Sequence, residues 1–177
     1  MRIGFVSIWF NRGQTVVTQT LRQALLDIGH EVFVFARLGH CYGESFLEKT
    51  GEFDIPNITF HSTYNINPIQ LRSWAQKRSL DAVIMNEEMD WSLVSVFKGS
   101  GIRTITYTDC LFPNWSGRMH LYDQAWSATQ RTYNMLLKMP NMNTRAHYIG
   151  WGLNLPYLGD ITPEYDFMHN AGQLGIN

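Results

Sequence analysis

Short apolar runs alternate with stretches of helix-spaced apolar residues from one end of this chain to the other. Residues 2–8 (Arg-Ile-Gly-Phe-Val-Ser-Ile) carry few charges, the pattern of a strand covered by helices on both faces. A turn at Asn11–Gln14 leads into a helical pattern from Thr15 to about Ile28. Val17, Leu21, Ala24, Leu25 and Ile28 recur at helix spacing, with Thr15 as cap and Gly29 as stop. Residues 31–36 (Glu-Val-Phe-Val-Phe-Ala) then read as a second strand, completing a right-handed βαβ unit.

The alternation continues. Residues 39–56 read as a Gly-containing connection with one helical turn around Ser45–Thr50. Strands are predicted at 58–61, 81–86, 102–108, 125–128 and 146–149, and helices at 68–78, 91–98 and 129–139. There is no internal repeat and no low-complexity tract. This order predicts an α/β fold, a Rossmann-like three-layer α/β/α sandwich with a mainly parallel sheet.

Composition narrows the class. The chain has 177 residues, enough for one well-packed domain, with 45% apolar and 16% charged residues, which argues against disorder or a coiled coil. Fourteen basic and fifteen acidic side chains give a formal charge of -1, offering no general attraction for nucleic acid. Two cysteines, Cys41 and Cys110, make no disulfide framework and fit a reducing compartment. No apolar stretch approaches the roughly 18 residues that span a bilayer, and the first run lacks a cleavage site, so a cytoplasmic location is expected. After Arg145 there is no Lys or Arg, while Asp160, Glu164 and Asp166 follow.

In open parallel sheets, ligands bind beyond the carboxyl ends of the strands, where strand order reverses. The useful loops are therefore 9–14, 37–43, 86–90, 109–120 and 150–154. The first has a single glycine, Gly13, so it matches neither the three-glycine dinucleotide fingerprint nor the Walker pattern. Gly13 either makes the turn or presents backbone N–H groups to a phosphate. The six histidines show no metal-ligand spacing, and no metal or cofactor is expected. Of the acidic corner Glu87, Glu88 and Asp90, Asp90 is read as a helix cap. Asp109, directly after a buried-type strand, either starts a turn or accepts hydrogen bonds and protons. Trp9, Phe10, Phe112, Trp115 and Trp151 fall at these loops, and aromatic faces beside Asp, Asn and Arg suit a carbohydrate.

Residues 1–35 resemble the opening of GT-B glycosyltransferases, particularly the retaining, nucleotide-sugar-dependent family-four group. The resemblance rests on the turn Asn11-Arg12-Gly13-Gln14 and on Leu25-Leu26-Asp27-Ile28-Gly29-His30-Glu31-Val32. Residues 148–154 (Tyr-Ile-Gly-Trp-Gly-Leu-Asn) are similar to the segment closing that family's first domain, and 165–177 to the start of its second. The resemblance implies a Rossmann-like acceptor-binding domain over 1–160, with 161–177 a linker and the truncated start of a donor-binding domain. It implies transfer of a sugar from a nucleotide-sugar donor to a glycan or other hydroxyl acceptor, and peripheral membrane contact stays open. Gly13 and Gln14 would lie at the donor phosphate, Asp109 and Thr108 at the reacting sugar, and Trp9, Arg12, Glu87 and Trp115 at the acceptor. Many members carry His where this chain has Thr108-Asp109. With half the cleft missing, the 177 residues alone are expected to be inactive. The alternative is a stand-alone flavodoxin-like binding or signalling domain.

Overall fold

A computed structural model describes residues 1–109, 116–142 and 144–150. Seven parallel strands form one sheet: β1 (Arg2–Ile8), β2 (Glu31–Arg37), β5 (Ile58–His61), β6 (Ala82–Asn86), β7 (Arg103–Thr108), β8 (Gln124–Ser127) and β9 (Ala146–Tyr148). Their order is β5-β2-β1-β6-β7-β8-β9, so the chain reverses direction across the sheet between β1 and β6. All seven coincide with the apolar runs of the sequence. The helices are α1 (Gly13–Asp27), α2 (Pro68–Lys77), α3 (Trp91–Ser95) and α4 (Gln130–Leu137).

Alternate residues of each central strand enter different cores, as the two-residue period of a strand requires. Phe5, Val32, Val34 and Ile84 pack with Val17 of α1. Val6, Phe33, Phe35, Val83 and Met85 pack with Leu71 and Trp74 of α2 and Leu93 of α3. Both faces are therefore apolar, which makes the strands continuous hydrophobic runs and gives the predicted three layers. The close approach of α2 needs Gly4: a Cβ there would lie 2.5 Å from Leu80 Cδ1 and 2.7 Å from Trp74 Cη2. Among the described residues, no helix is long and apolar enough to cross a membrane.

Three local expectations are corrected. Residues 45–50 form no helical turn. A hairpin of β3 (Gly39–Cys41) and β4 (Glu44–Phe46) stands there, followed by a 3₁₀ turn at Gly51–Phe53. The hairpin closes through Tyr42 and Gly43, both left-handed (φ 51° and 83°), and Phe46 stacks on Phe10 at 5.2 Å. Thr15 does not cap α1, which starts two residues earlier with Arg12 at the cap position and no side-chain cap. Thr15 is buried instead, its hydroxyl donating to the Ile8 carbonyl (3.1 Å) and accepting from the Phe10 N–H (3.3 Å). α3 ends at Ser95 rather than Lys98, because 97 and 98 switch to i→i+3 bonds before Gly99 turns left-handed (φ 73°).

The exits of β2 and β6 are joined across the end of β1 by an ion pair between Arg37 and Glu88 at 2.9 Å. The two side chains are only 6% and 4% exposed. Arg37 also donates to the Tyr64 carbonyl (3.2 Å) and lies over the Tyr64 ring, 4.6 Å from its centre. Glu88 Oε1 accepts from the N–H groups of Met89 and Asp90, both at 2.8 Å. Burial nevertheless raises the Glu88 pKa, outweighing the attraction of Arg37. Removing one partner leaves the other charge buried and alone. Arg37→Met is expected to lower unfolding free energy by about 3–5 kcal/mol, whereas Arg37→Met with Glu88→Leu recovers most of that loss. Urea denaturation of the two variants checks both halves.

Candidate functional site

The reversal of strand order places a cavity of about 390 Å³ beyond the carboxyl ends of β1, β6 and β7. Arg12, Gly13, Gln14 and Val17 line it from the start of α1, Asn86 and Glu87 from β6, and Tyr107 and Asp109 from β7. Five predicted site residues (Arg12, Gly13, Gln14, Glu87 and Asp109) thus meet in one place.

The α1 wall is built for approach. The first N–H groups of a helix have no partner within it, and here the cap residue's side chain makes no cap bond and no acid sits in the first turn. A Cβ added at Gly13 would meet no atom within 4 Å. Its φ is not left-handed either, since Gly13 is absent from the positive-φ glycines. Neither the fold nor the backbone conformation therefore requires glycine there; it leaves the backbone open to the cavity. The Arg12 guanidinium sits 2.6 Å from Cys41 Sγ on the β3–β4 hairpin.

The β6 wall is held by three successive residues with three different partners. Asn86, buried, donates to the Gln14 carbonyl (2.7 Å) and Thr18 hydroxyl (3.0 Å) of α1. Glu87 adopts a left-handed backbone (φ 52°) and its N–H donates to the Tyr107 carbonyl at 2.9 Å. Glu88 turns to Arg37, as described above. Asp90 caps α3, accepting from the Ser92 N–H (2.9 Å) and hydroxyl (2.6 Å), which matches the sequence reading.

Glu87 meets Asp109 across the cavity floor. Asp109 lies close enough for its charge and hydrogen-bonding groups to act on the Glu87 carboxyl. The Gln14 amide donates to Glu87 Oε2 at 2.6 Å. Burial, the hydrogen bond to Asp109 and repulsion by its charge push the Glu87 pKa up to about 8, against a smaller opposing pull from Gln14. Burial, helped by the charges of Asp109 and Glu87, raises Tyr107 to about 12. The Asp109 carbonyl accepts from the Thr132 hydroxyl (2.6 Å) and the Thr129 hydroxyl (3.4 Å), tying the β7 exit to α4. Asp109 Oδ1 is buried without a hydrogen-bond partner.

Two predicted residues are placed elsewhere. Trp9 is fully buried, its Nε1 donating to the Phe53 carbonyl at 2.9 Å and its ring edge-on to Phe53, so it belongs to the core and not to an acceptor face. Thr108 is 1% exposed at the end of β7 and is not part of the cavity lining. Trp115, with Phe112 and Trp151, lies outside the described residues, as does the proposed domain crossing at 161–177. Asn86 and Tyr107 were not singled out from the sequence. For Asn86 the available signal is a polar residue ending an otherwise apolar strand, whereas Tyr107, inside β7, carries no such signal. Among the described residues, no three His, Cys, Asp or Glu side chains gather to hold a metal ion.

No family model matches the chain, and no curated protein matches it significantly. Solved structures do. The UDP-GlcNAc 2-epimerase of Methanocaldococcus jannaschii is 13% identical with a TM-score of 0.63, over 85% of this chain and 45% of that one. A glycosyltransferase from Rickettsia africae is 14% identical with a TM-score of 0.60, over 86% and 43%. An alpha-glucosyltransferase in complex with UDP and a 13-mer DNA is 14% identical with a TM-score of 0.50, over 84% and 41%. The chain spans less than half the length of each. At this identity the likeness is one of fold: a GT-B-type, Rossmann-like domain.

The raised Glu87 pKa has a consequence for stability. In the unfolded chain Glu87 loses its proton near the ordinary carboxyl value, whereas in the folded chain it keeps it to about 8. Between those values the folded state binds the extra proton, so stability falls as pH rises and levels off above about 8. Glu87→Gln, which keeps the shape without the charge, should therefore be more stable than the parent at pH 8.5, by on the order of 1–2 kcal/mol. The difference should shrink toward pH 5, as read by chemical denaturation at both pH values.

Proposed function

We propose that this domain forms one wall of a nucleotide-sugar site and serves as the acceptor-side domain of a glycosyltransferase, moving a sugar to a glycan or other hydroxyl acceptor. One observation carries this reading. The strand-order reversal combines a helix start without a cap bond from its cap residue, begun by a glycine that no described contact requires, with side chains able to bond hydroxyl groups. The backbone at Gly13 and Gln14 suits the donor phosphate, where N–H groups and the helix dipole stabilise the charge of the leaving diphosphate. Asp109 faces the reacting sugar, and Arg12, Glu87 and Trp115 contact the acceptor. Trp9 and Thr108 take supporting roles in the core and the sheet. The retaining, family-four chemistry belongs to this reading, which requires acceptor, donor and phosphate to be aligned together.

The fold likeness to glycosyltransferases supports this proposal. The DNA bound to one neighbour does not change the acceptor class, because that likeness concerns fold alone. A second reading is favoured by the Glu87–Asp109 pair: proton movement on the nucleotide sugar itself, without an acceptor. Product analysis with the donor alone and with a hydroxyl acceptor separates the two.

Gly13→Ala tests the phosphate wall. Ala meets no protein atom and suits a helix at least as well as Gly, so the melting temperature should be unchanged or slightly higher. The added methyl group stands where the phosphate would approach, so UDP affinity should fall about tenfold or more. Isothermal titration and thermal unfolding of the same variant give both numbers; unchanged UDP affinity would remove Gly13 from the site.

A further inference from the structure

The sheet has another cavity at its opposite end. About 470 Å³ in volume, it lies at the amino ends of β7 and β8, beside α3, the loop into β7 and the 3₁₀ segment Ser116–Leu121. The first cavity stands beyond the carboxyl ends, so the length of β7 separates the two. We propose that this far cavity is a second ligand site, which binds a small soluble phosphate monoester carried on an apolar or aromatic group.

Charge selects the anion. Residues 91–150 contain six Lys or Arg and two acids, Asp109 and Asp123, although the whole chain carries a formal charge of -1. Lys98, Arg103 and His120 line the cavity. Among the described residues, neither the Lys98 ammonium nor the Arg103 guanidinium has a hydrogen bond or an ion pair. Arg145 donates to the carbonyls of His120 and Tyr122, both at 3.5 Å, and adds its charge to the same segment. Asp123 is the one acid among the described lining residues. Its Oδ2 already accepts from the Thr104 N–H (2.7 Å) and hydroxyl (3.2 Å). A guanidinium and an ammonium at one cavity suit a phosphate, whose oxygens accept several charge-assisted hydrogen bonds.

The apolar wall selects the rest of the ligand. Val94 and Phe97, both 2% exposed, reach the cavity from α3 and the turn after it, and Ile102 and Leu121 join them. The loop that carries the cations has a set shape. Gly99 and Gly101 are both left-handed (φ 73° and 79°). Between them, the Ser100 hydroxyl donates to the Phe97 carbonyl (2.6 Å) and accepts from the Ile102 N–H (3.1 Å). Lys98 and Arg103 therefore flank a fixed turn. A phosphate ester on an apolar body places its charge against these cations and its body on the wall, and the volume suits a small molecule.

The test is amide NMR titration of the chain at low ionic strength with phenyl phosphate, inorganic phosphate and phosphatidate vesicles. Phenyl phosphate should give saturable shifts at residues 98–103 and 120–123, and bind about fivefold tighter than inorganic phosphate. Lys98→Gln combined with Arg103→Gln should weaken phenyl phosphate about tenfold or more. Leu121→Ser should narrow the difference between the two phosphates. All three side chains are exposed, and the amide spectra report whether the variants keep the fold. Equal binding of the two phosphates, or full binding by the double variant, would overturn the site. So would shifts spread to Arg131 and Lys138, the pattern of simple attraction to a basic surface. Binding to the vesicles without a response to phenyl phosphate would replace the soluble ligand by a lipid headgroup and overturn the proposal as stated. None of these outcomes depends on the nucleotide-sugar reading, which UDP titration tests separately at Gly13 and Gln14.

Discussion

The path of the chain out of β6 depends on the buried ion pair of Arg37 and Glu88. A buried pair adds little net stability compared with apolar side chains of the same volume, but its geometry is unforgiving. Arg37 ends β2, Glu88 follows β6, and the pair bridges them past β1, with Tyr64 stacked on the guanidinium. With Glu88 committed to one side and Asn86 bonded to α1 on the other, Glu87 has one direction left, into the cavity. The left-handed backbone at Glu87 is the local cost of this three-way commitment.

The same arrangement gives the cavity two unlike walls. The α1 start offers the positive end of a helix dipole and open backbone at Gly13, while β6 and β7 bring a pair of acids. These walls do not cancel, because Gln14 belongs to both: its backbone begins the helix and its amide donates to Glu87. The fold contributes by converging three strand exits on one point, which is what a reversal of strand order does in an open sheet.

Most of the sheet was legible in the sequence because parallel strands covered on both faces need no partner information to be recognised. Residues 31–36 and 81–86 are apolar almost throughout, and α1 shows its helical spacing over fifteen residues. The β3–β4 hairpin was not legible, since its signal is a two-residue Tyr42-Gly43 turn between strands of three residues. Trp9 was misassigned because sequence position placed it at the ligand edge, whereas a carbonyl at Phe53 supplies its indole partner and takes it inside. Arg37 and Glu88 were each visible as edge residues, but their pairing depends on the spatial crossing of β2 and β6 past β1. Five of the residues expected from the strand exits line one cavity, because those exits converge. The missed ones, Asn86 and Tyr107, are strand residues whose side chains face the cavity from within the sheet.

Three departures from local preference meet at this point. A glutamate occupies a left-handed position that glycine or asparagine would hold more easily, a carboxylate oxygen of Asp109 is buried without a partner, and a glycine stands where the fold has no need of one. Each costs stability: the backbone of Glu87 on the order of 1 kcal/mol, and the orphaned oxygen about 1–3 kcal/mol. In β2, by contrast, propensity and burial agree from Val32 to Ala36, all of them buried. Sequences keep such conflicts where another requirement outweighs folding, and a ligand is the requirement that an open, acid-lined cavity at a strand-order reversal can meet. Gly13 stands out among them: among the described residues no packing contact and no left-handed backbone angle accounts for it.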